Sequence, residues 1–171
     1  MQILQDKALV IPVAHPKQIT SVIPKSKELK GDEVIVHWGI DEVHTLRSVG
    51  IKAPSPISRR YKWTGQYTPF DHQKKTAAFL TLNKRAFCFN EQGTGKTASA
   101  IWAADYLISQ GKVNRVLVIC PLSIMDSAWR NDMFSFAMHR RVDVAYGSKS
   151  KRKAVIEGDA EFVVINYAGV E

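Results

Sequence analysis

Eight residues, Asn90-Glu91-Gln92-Gly93-Thr94-Gly95-Lys96-Thr97, have the types and order needed to hold a polyphosphate. Gly93 and Gly95 let the backbone curl so that successive N–H groups face an anion, a curl that a Cβ obstructs. Lys96 then reaches the β- and γ-phosphates, and the Thr97 hydroxyl stands ready to ligand a magnesium ion between them. The usual form of such a loop has glycine where this chain has Asn90. Asparagine tolerates left-handed backbone better than most residues, so the variant keeps the curl. The bland alternative is a tight Gly-Thr-Gly turn with Lys96 as a solvated charge.

Context separates these readings. A phosphate loop needs a strand before it and a helix after it. The apolar run 85–90 (RAFCFN) predicts a buried strand, and 97–109 (TASAIWAADYLIS) has helical periodicity. That helix would set its positive end, about half a unit charge, beneath the phosphates.

Downstream, 113–120 (VNRVLVIC) predicts a strand covered on both faces and stopped by Pro121. Ser123 caps a predicted helix whose apolar stripe is Met125, Trp129, Met133 and Phe136. Val142 to Tyr146 predicts a strand, Lys149 to Ile156 a basic helix, and Phe162 to Asn166 a last strand. The alternation from residue 85 onward is β-α-β-α-β-α-β. It implies a parallel sheet with right-handed crossovers and a ligand at the carboxyl ends of its strands.

Upstream, Thr68-Pro69-Phe70-Asp71 predicts a helix start with Thr68 as cap, the helix running to Asn83 and carrying His72 and Gln73. A side-chain amide there can pair with the N6/N7 edge of adenine, or merely face water. Residues 1 to about 36 alternate apolar runs (8–13, 19–23 and 34–36) with Pro12, Pro16 and Pro24, which favours short strands and loops. Asp41 opens a short helix with Val43, Leu46 and Val49 on one face and Gly50 as its stop. Residues 53–57 (APSPI) read as an extended linker. Arg59, Arg60, Tyr61, Lys62 and Trp63 then either grip nucleic acid or pack their rings and leave their charges in water.

Composition sets the outer limits. At 45% hydrophobic and 23% charged residues, the 171-residue chain is an ordinary globular protein with room for one domain and a smaller appendage. Its net charge of +8 favours a polyanionic partner, and residues 1–65 and 66–171 each carry +4. Cys88 and Cys120 lie in apolar runs as buried thiols do, and two cysteines make no metal cluster. No apolar run approaches the 18 or so residues of a membrane span and no leader precedes the first elements, so a cytoplasmic location, a host's if the source is viral, is expected.

Four motifs in order carry a resemblance. Pro69-Phe70-x-His72-Gln73, the loop 90–97, Val118-Ile119-Cys120-Pro121-Leu122-Ser123 with Trp129, and Val163-Val164-Ile165-Asn166-Tyr167 together resemble the first RecA-like lobe of superfamily II helicases. The branch most resembled is the SWI/SNF-type DNA translocases and related phage-type helicases. The resemblance covers residues 66–171 and implies a RecA-like α/β lobe, with residues 1–65 a small β-rich accessory region. It implies ATP and Mg²⁺ as cofactors. Phe70 and Gln73 would hold the adenine; Gln92, Gly93, Thr94 and Gly95 would cradle the phosphates; Lys96 would neutralise them and Thr97 ligand the metal. It further implies nucleic acid, DNA rather than RNA, along Pro121, Leu122, Ser123, Asn166 and Tyr167. Gln92 and Thr94 depart from the Met and Leu common in the SWI/SNF branch, and Asn166 from the usual Thr.

Members of that family place an Asp-Glu magnesium motif and a second RecA-like lobe beyond the point matched by Tyr167. The chain is therefore expected to be a monomeric part of a larger motor that binds ATP·Mg weakly and hydrolyses it poorly by itself. Two other classes stay open: a small phosphotransferase with Lys149, Lys151, Arg152 and Lys153 as a lid, and a nucleic-acid-binding module with a vestigial loop.

Overall fold

The computed structural model describes residues 1–170, which divide into two compact units. Unit 1 comprises Met1–Lys62 and Ala78–Arg85; unit 2 comprises Trp63–Ala77 and Ala86–Glu171.

Unit 1 is built from two ββα halves. In the first, β1 (Gln2–Leu4) and β2 (Ala8–Pro12) form a hairpin followed by α1 (Pro16–Val22); in the second, β3 (Lys27–Leu29) and β4 (Glu33–His37) are followed by α2 (Ile40–Ser48). Each hairpin turns through two left-handed residues, Gln5 and Asp6 in one and Gly31 and Asp32 in the other. That backbone matches the right-handed twist of the paired strands. The sheet is antiparallel in the order β1-β2-β4-β3, so β2 and β4 meet at its centre, with Val10 opposite Ile35.

Strand alternation sends Leu9, Ile11, Val34 and Val36 into one core with Ile19 and Ile23 from the first half and Val43 and Leu46 from α2. Each such side chain contributes roughly 1.5–3 kcal/mol when fully buried. The run 19–23, expected to be strand or loop, mostly lies in α1, because Pro16 at its first turn supplies a ready-made helix start. The predicted α2 forms two residues early, with Gly39 rather than Asp41 as cap and Asp41 in its first turn. It ends as a Schellman motif: Ile51 N–H donates to Leu46 O at 2.9 Å, Gly50 N–H to Arg47 O at 3.1 Å, and Gly50 has φ +86°.

The proline-rich stretch is not the linker expected. Ala53, Ser55 and Ile57 are buried, and α3 (Ile57–Arg60) follows directly. Ser55 Oγ and Thr81 Oγ1 share a buried hydrogen bond of 2.7 Å, while the Trp38 indole donates to Pro54 O at 2.9 Å. Trp38→Phe keeps the ring but orphans that carbonyl, so chemical unfolding should show a loss of about 1–2 kcal/mol with an unchanged m-value.

The helix α4 (Asp71–Leu82) contributes its first turns to unit 2 and its last to unit 1. It begins two residues later than Thr68 and Pro69 predict. Phe70 N–H donates to Gln73 Oε1 at 2.9 Å, so the amide at the third helical position reaches back and closes the helix start itself.

Unit 2 continues with α5 (Lys96–Ser109), β5 (Val116–Cys120), a 3₁₀ turn at 122–124, a π-helical turn at 125–130, α6 (Asn131–Phe136), β6 (Val142–Ala145), α7 (Lys149–Glu157) and β7 (Phe162–Asn166). The strands form a parallel sheet in the order β5-β7-β6. Central β7 is buried on both faces. Phe162 packs with Ile101 and Met133, Val164 with Val118, Cys120 and Met125, and Val163 and Ile165 with Ala145 and Ala160. Burial pushes the Cys120 thiol above its ordinary pKa and keeps it protonated.

Two strand expectations need correction. β5 is covered on one face only: Leu117 and Ile119 are exposed. The run 85–90 forms no strand and pairs with none among the described residues, so three strands form where four were expected. A strand exists only through a partner's ladder, and without one Phe87 and Phe89 stay 81% and 89% exposed, stacked on each other.

Candidate functional site

All four motif segments lie in unit 2. The loop 90–95 enters α5 through Gly95, whose φ is +76°, and Gly93 has φ +75°. Two left-handed residues this close turn the loop back on itself. An ideal Cβ on Gly95 would fall 2.1 Å from Gln73 Nε2, so this position also needs glycine for space.

The loop is braced from its own unit. Asn90 Nδ2 donates to Thr76 Oγ1 at 2.9 Å, and that hydroxyl donates to His72 O. Thr94 Oγ1 donates to Glu91 O at 2.8 Å. The first turn of α4 reaches the Thr94 carbonyl twice, through His72 Nε2 at 3.0 Å and Gln73 Nε2 at 3.3 Å. The amide of Gln73 is thereby oriented at both ends, with one N–H and one lone pair left to offer. Phe70 is two-thirds exposed and stacks on His72 with ring centroids 5.7 Å apart.

Lys96 Nζ donates to Asn90 O and Glu91 O, both at 2.8 Å, which holds the ammonium inside the loop with one N–H to spare. Thr97 is the informative contrast. The hydroxyls of Thr45, Thr76 and Ser99 each donate to the carbonyl four residues back, as helix hydroxyls commonly do. Half-buried Thr97 makes no hydrogen bond through its hydroxyl among the described residues. A free hydroxyl oxygen is a donor of the kind that hard cations take.

The carboxyl ends of the strands align, because Cys120 pairs with Asn166 and Ala145 with Ile165. That register sets Pro121-Leu122-Ser123 next to Asn166-Tyr167, with Leu122 and Tyr167 more than half exposed. The same edge carries Tyr146-Gly147-Ser148 after β6, which sequence reasoning did not single out. Ser148 caps α7 by accepting the Lys151 N–H, and Tyr146 is 60% exposed. The position of Tyr146, between the strand run 142–145 and Gly147, was the available signal. His72 and Thr76 were likewise missed as loop braces, because their bonds to 90–94 join segments far apart in the chain.

Farther from the loop, α5 is tied to the entry of β6 by a charge network. Asp105, nearly fully buried, accepts from Arg140 Nε at 2.6 Å and lies 3.0 Å from His139 Nε2; Arg140 also pairs with Glu161. Burial works to lower the Arg140 pKa, but its hydrogen bonds and charge contacts with Asp105 and Glu161 outweigh this and raise it. The guanidinium therefore stays charged. No helix among the described residues is long and apolar enough to cross a membrane.

Comparison with known proteins bears on the family and the fold. The SWI2/SNF2 ATPase core of Sulfolobus solfataricus, solved in complex with dsDNA, matches with a TM-score of 0.53 and 24% identity, over 62% of this chain and 23% of that one. The UvsW helicase from bacteriophage T4 matches with a TM-score of 0.53 and 16% identity, over 91% of this chain and 70% of that one. The chain thus spans about a quarter of the length of the Sulfolobus protein. No curated protein matches it in sequence. The family described as type III restriction enzyme, res subunit, matches residues 66–171, more than half of the chain. The chain belongs to that family, and the parallel sheet and helices of unit 2 have the fold of RecA-like helicase lobes.

Proposed function

We propose that unit 2 is the ATP-binding lobe of a nucleic-acid helicase or translocase. The observation that carries this reading is the loop itself: two left-handed glycines, the Lys96 ammonium enclosed by carbonyls, and the unpartnered Thr97 hydroxyl at the head of α5. In it the N–H groups of Gln92, Gly93, Thr94 and Gly95 hold the phosphates, Lys96 neutralises them, and Thr97 ligands magnesium. Gln73 offers its remaining N–H and lone pair to the adenine edge while Phe70 covers the base. Magnesium, held through Thr97, would supply positive charge to offset that of the phosphates.

The nucleic acid, DNA in this reading, runs along the carboxyl edge past Pro121, held by the backbone N–H groups of Leu122 and Ser123 and by Asn166 and Tyr167. Contacts of that kind position a strand without reading its sequence. The residues described bind and orient the nucleotide. Positioning and charge stabilisation carry most of phosphoryl transfer, and the chain alone turns ATP over slowly.

Titration with a fluorescent ATP analogue tests this. Wild type should bind it with an affinity that falls when magnesium is chelated, and Thr97→Ala should bind with an affinity indifferent to the metal. Rapid ATP turnover that persists in a variant with a disabled loop would refute the assignment. Gly95→Ala should weaken analogue binding at least tenfold, since its Cβ meets the Gln73 amide and its φ disfavours any side chain.

A further inference from the structure

The net charge of +8 is distributed unevenly over the two units. Unit 1 holds twelve Lys/Arg against six Asp/Glu, a formal +6; unit 2 holds twelve against ten, a formal +2. In unit 2 many cations are committed to carboxylates: Lys74 to Asp71, Arg130 to Asp126, Arg141 to Asp159, Lys153 to Glu157, and Arg140 to Asp105 and Glu161. In unit 1 Arg59 pairs with Asp6, but Arg47, Lys52, Lys84 and Arg85 pair with no carboxylate among the described residues.

Two of these cations share a recess. A hollow of about 350 Å³ at the end of α2 is lined by Arg47, Gly50, Ile51 and Lys52. Arg47 Nε donates to Ala53 O at 3.1 Å, which fixes the guanidinium and leaves its two terminal amino groups to solvent. The Schellman closure engages the Leu46 and Arg47 carbonyls, so the helix end offers these cations fewer acceptors. Cations at a helix C-terminus also offset its dipole, but that end carries only about half a negative charge against two full positive ones. Lys84 and Arg85 follow the end of α4 within four residues of Thr81, which the Ser55 bond fastens to the segment leading out of the hollow.

We propose that the end of α2 is a grip for the phosphodiester backbone of nucleic acid, with Arg47 and Lys52 on the phosphates and Lys84 and Arg85 extending the contact. The choice of polymer rests on the nucleic-acid partner proposed for unit 2. An open hollow with no buried donor gives a single free phosphate little to hold. A polymer gains from several such contacts at once, because each phosphate neutralised releases condensed counterions. The grip reads no base, and it gives unit 1 a role on the same substrate.

The test is binding of a fluorescent DNA duplex, without nucleotide, between about 50 and 200 mM salt, where each phosphate contact adds about 0.9 to the slope of log K against log salt. The double variant Arg47→Ala/Lys52→Ala should lower that slope by about 1.8 and weaken binding at least tenfold at the low-salt end. Lys52→Glu, which breaks no hydrogen bond of the protein, should weaken it in the same direction. Lys17→Ala/Lys27→Ala, removing two exposed cations elsewhere in unit 1, should leave the slope nearly unchanged. An unaltered slope in the double variant, an equal loss in the control pair, absence of duplex binding by wild type, or displacement by inorganic phosphate at ionic strengths where chloride has no effect would each overturn the proposal. A grip lost on mutation while the ATP analogue fails to bind wild type would sink the motor reading and leave this one standing.

Discussion

Lys96→Ala is expected to cost at least a hundredfold in affinity for ATP·Mg, measured with the same fluorescent analogue. Its ammonium donates to the Asn90 and Glu91 carbonyls and keeps one N–H for the ligand. Each hydrogen bond to a charged group contributes roughly 1.5–3 kcal/mol, and the substitution removes the charge together with the bonds that close the loop. One such bond to a phosphate, at the high end, gives about 3 kcal/mol, or just over a hundredfold. Lys96→Arg should recover little of this, because a planar guanidinium cannot take the place of a compact ammonium among converging carbonyls. Circular dichroism should show the fold intact, and duplex binding without nucleotide should match wild type. Affinity retained within a factor of three would mean the loop carries no phosphate.

The second large effect lies in the fold. Arg140→Ala takes from nearly fully buried Asp105 a guanidinium 2.6 Å away, with half-exposed His139 remaining beside the same oxygen. Removing one member of a buried pair typically costs about 3–5 kcal/mol, far more than the pair's net worth, because the orphaned charge stays desolvated. The melting temperature should fall by roughly 6–20 °C for a chain of this size. The double variant Arg140→Ala/Asp105→Asn should recover a good part of the loss, since it removes the buried charge that Arg140 had balanced. By contrast, exposed Arg141 and Asp159 should contribute little. The hydrogen bond from Arg141 holds the Asp159 carboxyl below its ordinary range. A depressed carboxylate stabilises the fold above its unfolded pKa and loses that contribution as pH falls through the folded one, so the small effect of Arg141→Ala should vanish in acid.

Local signals read well where the chemistry is local. Gly93, Gly95 and Gly50 adopt left-handed backbone as their turns require. The strands at Val142 and Phe162 and the basic helix between them form almost where their residue types place them, the apolar run 162–165 because a strand buried on both faces needs one. The RecA-like lobe itself was legible because four motifs keep their order along the chain.

What failed depended on partners distant in sequence. The run 85–90 has the composition of a strand but no ladder to join, and β5 has the composition of a central strand but lies at an edge of this sheet. The stretch 53–57 looks like a linker by its prolines, yet Trp38 and Thr81 bury it. Helix α4 starts late because the amide of Gln73, not the side chain of Thr68, closes its first turn.

The amino-acid order alone determined a curled, cationic loop ahead of a helix, and with it the kind of ligand to expect, since backbone freedom and side-chain chemistry at eight consecutive positions suffice for that. Only the tertiary structure decided how the loop is braced, that Thr97 keeps its hydroxyl free, and that the excess positive charge collects in the N-terminal unit. Those properties are distances between residues far apart in the chain, and packing sets them.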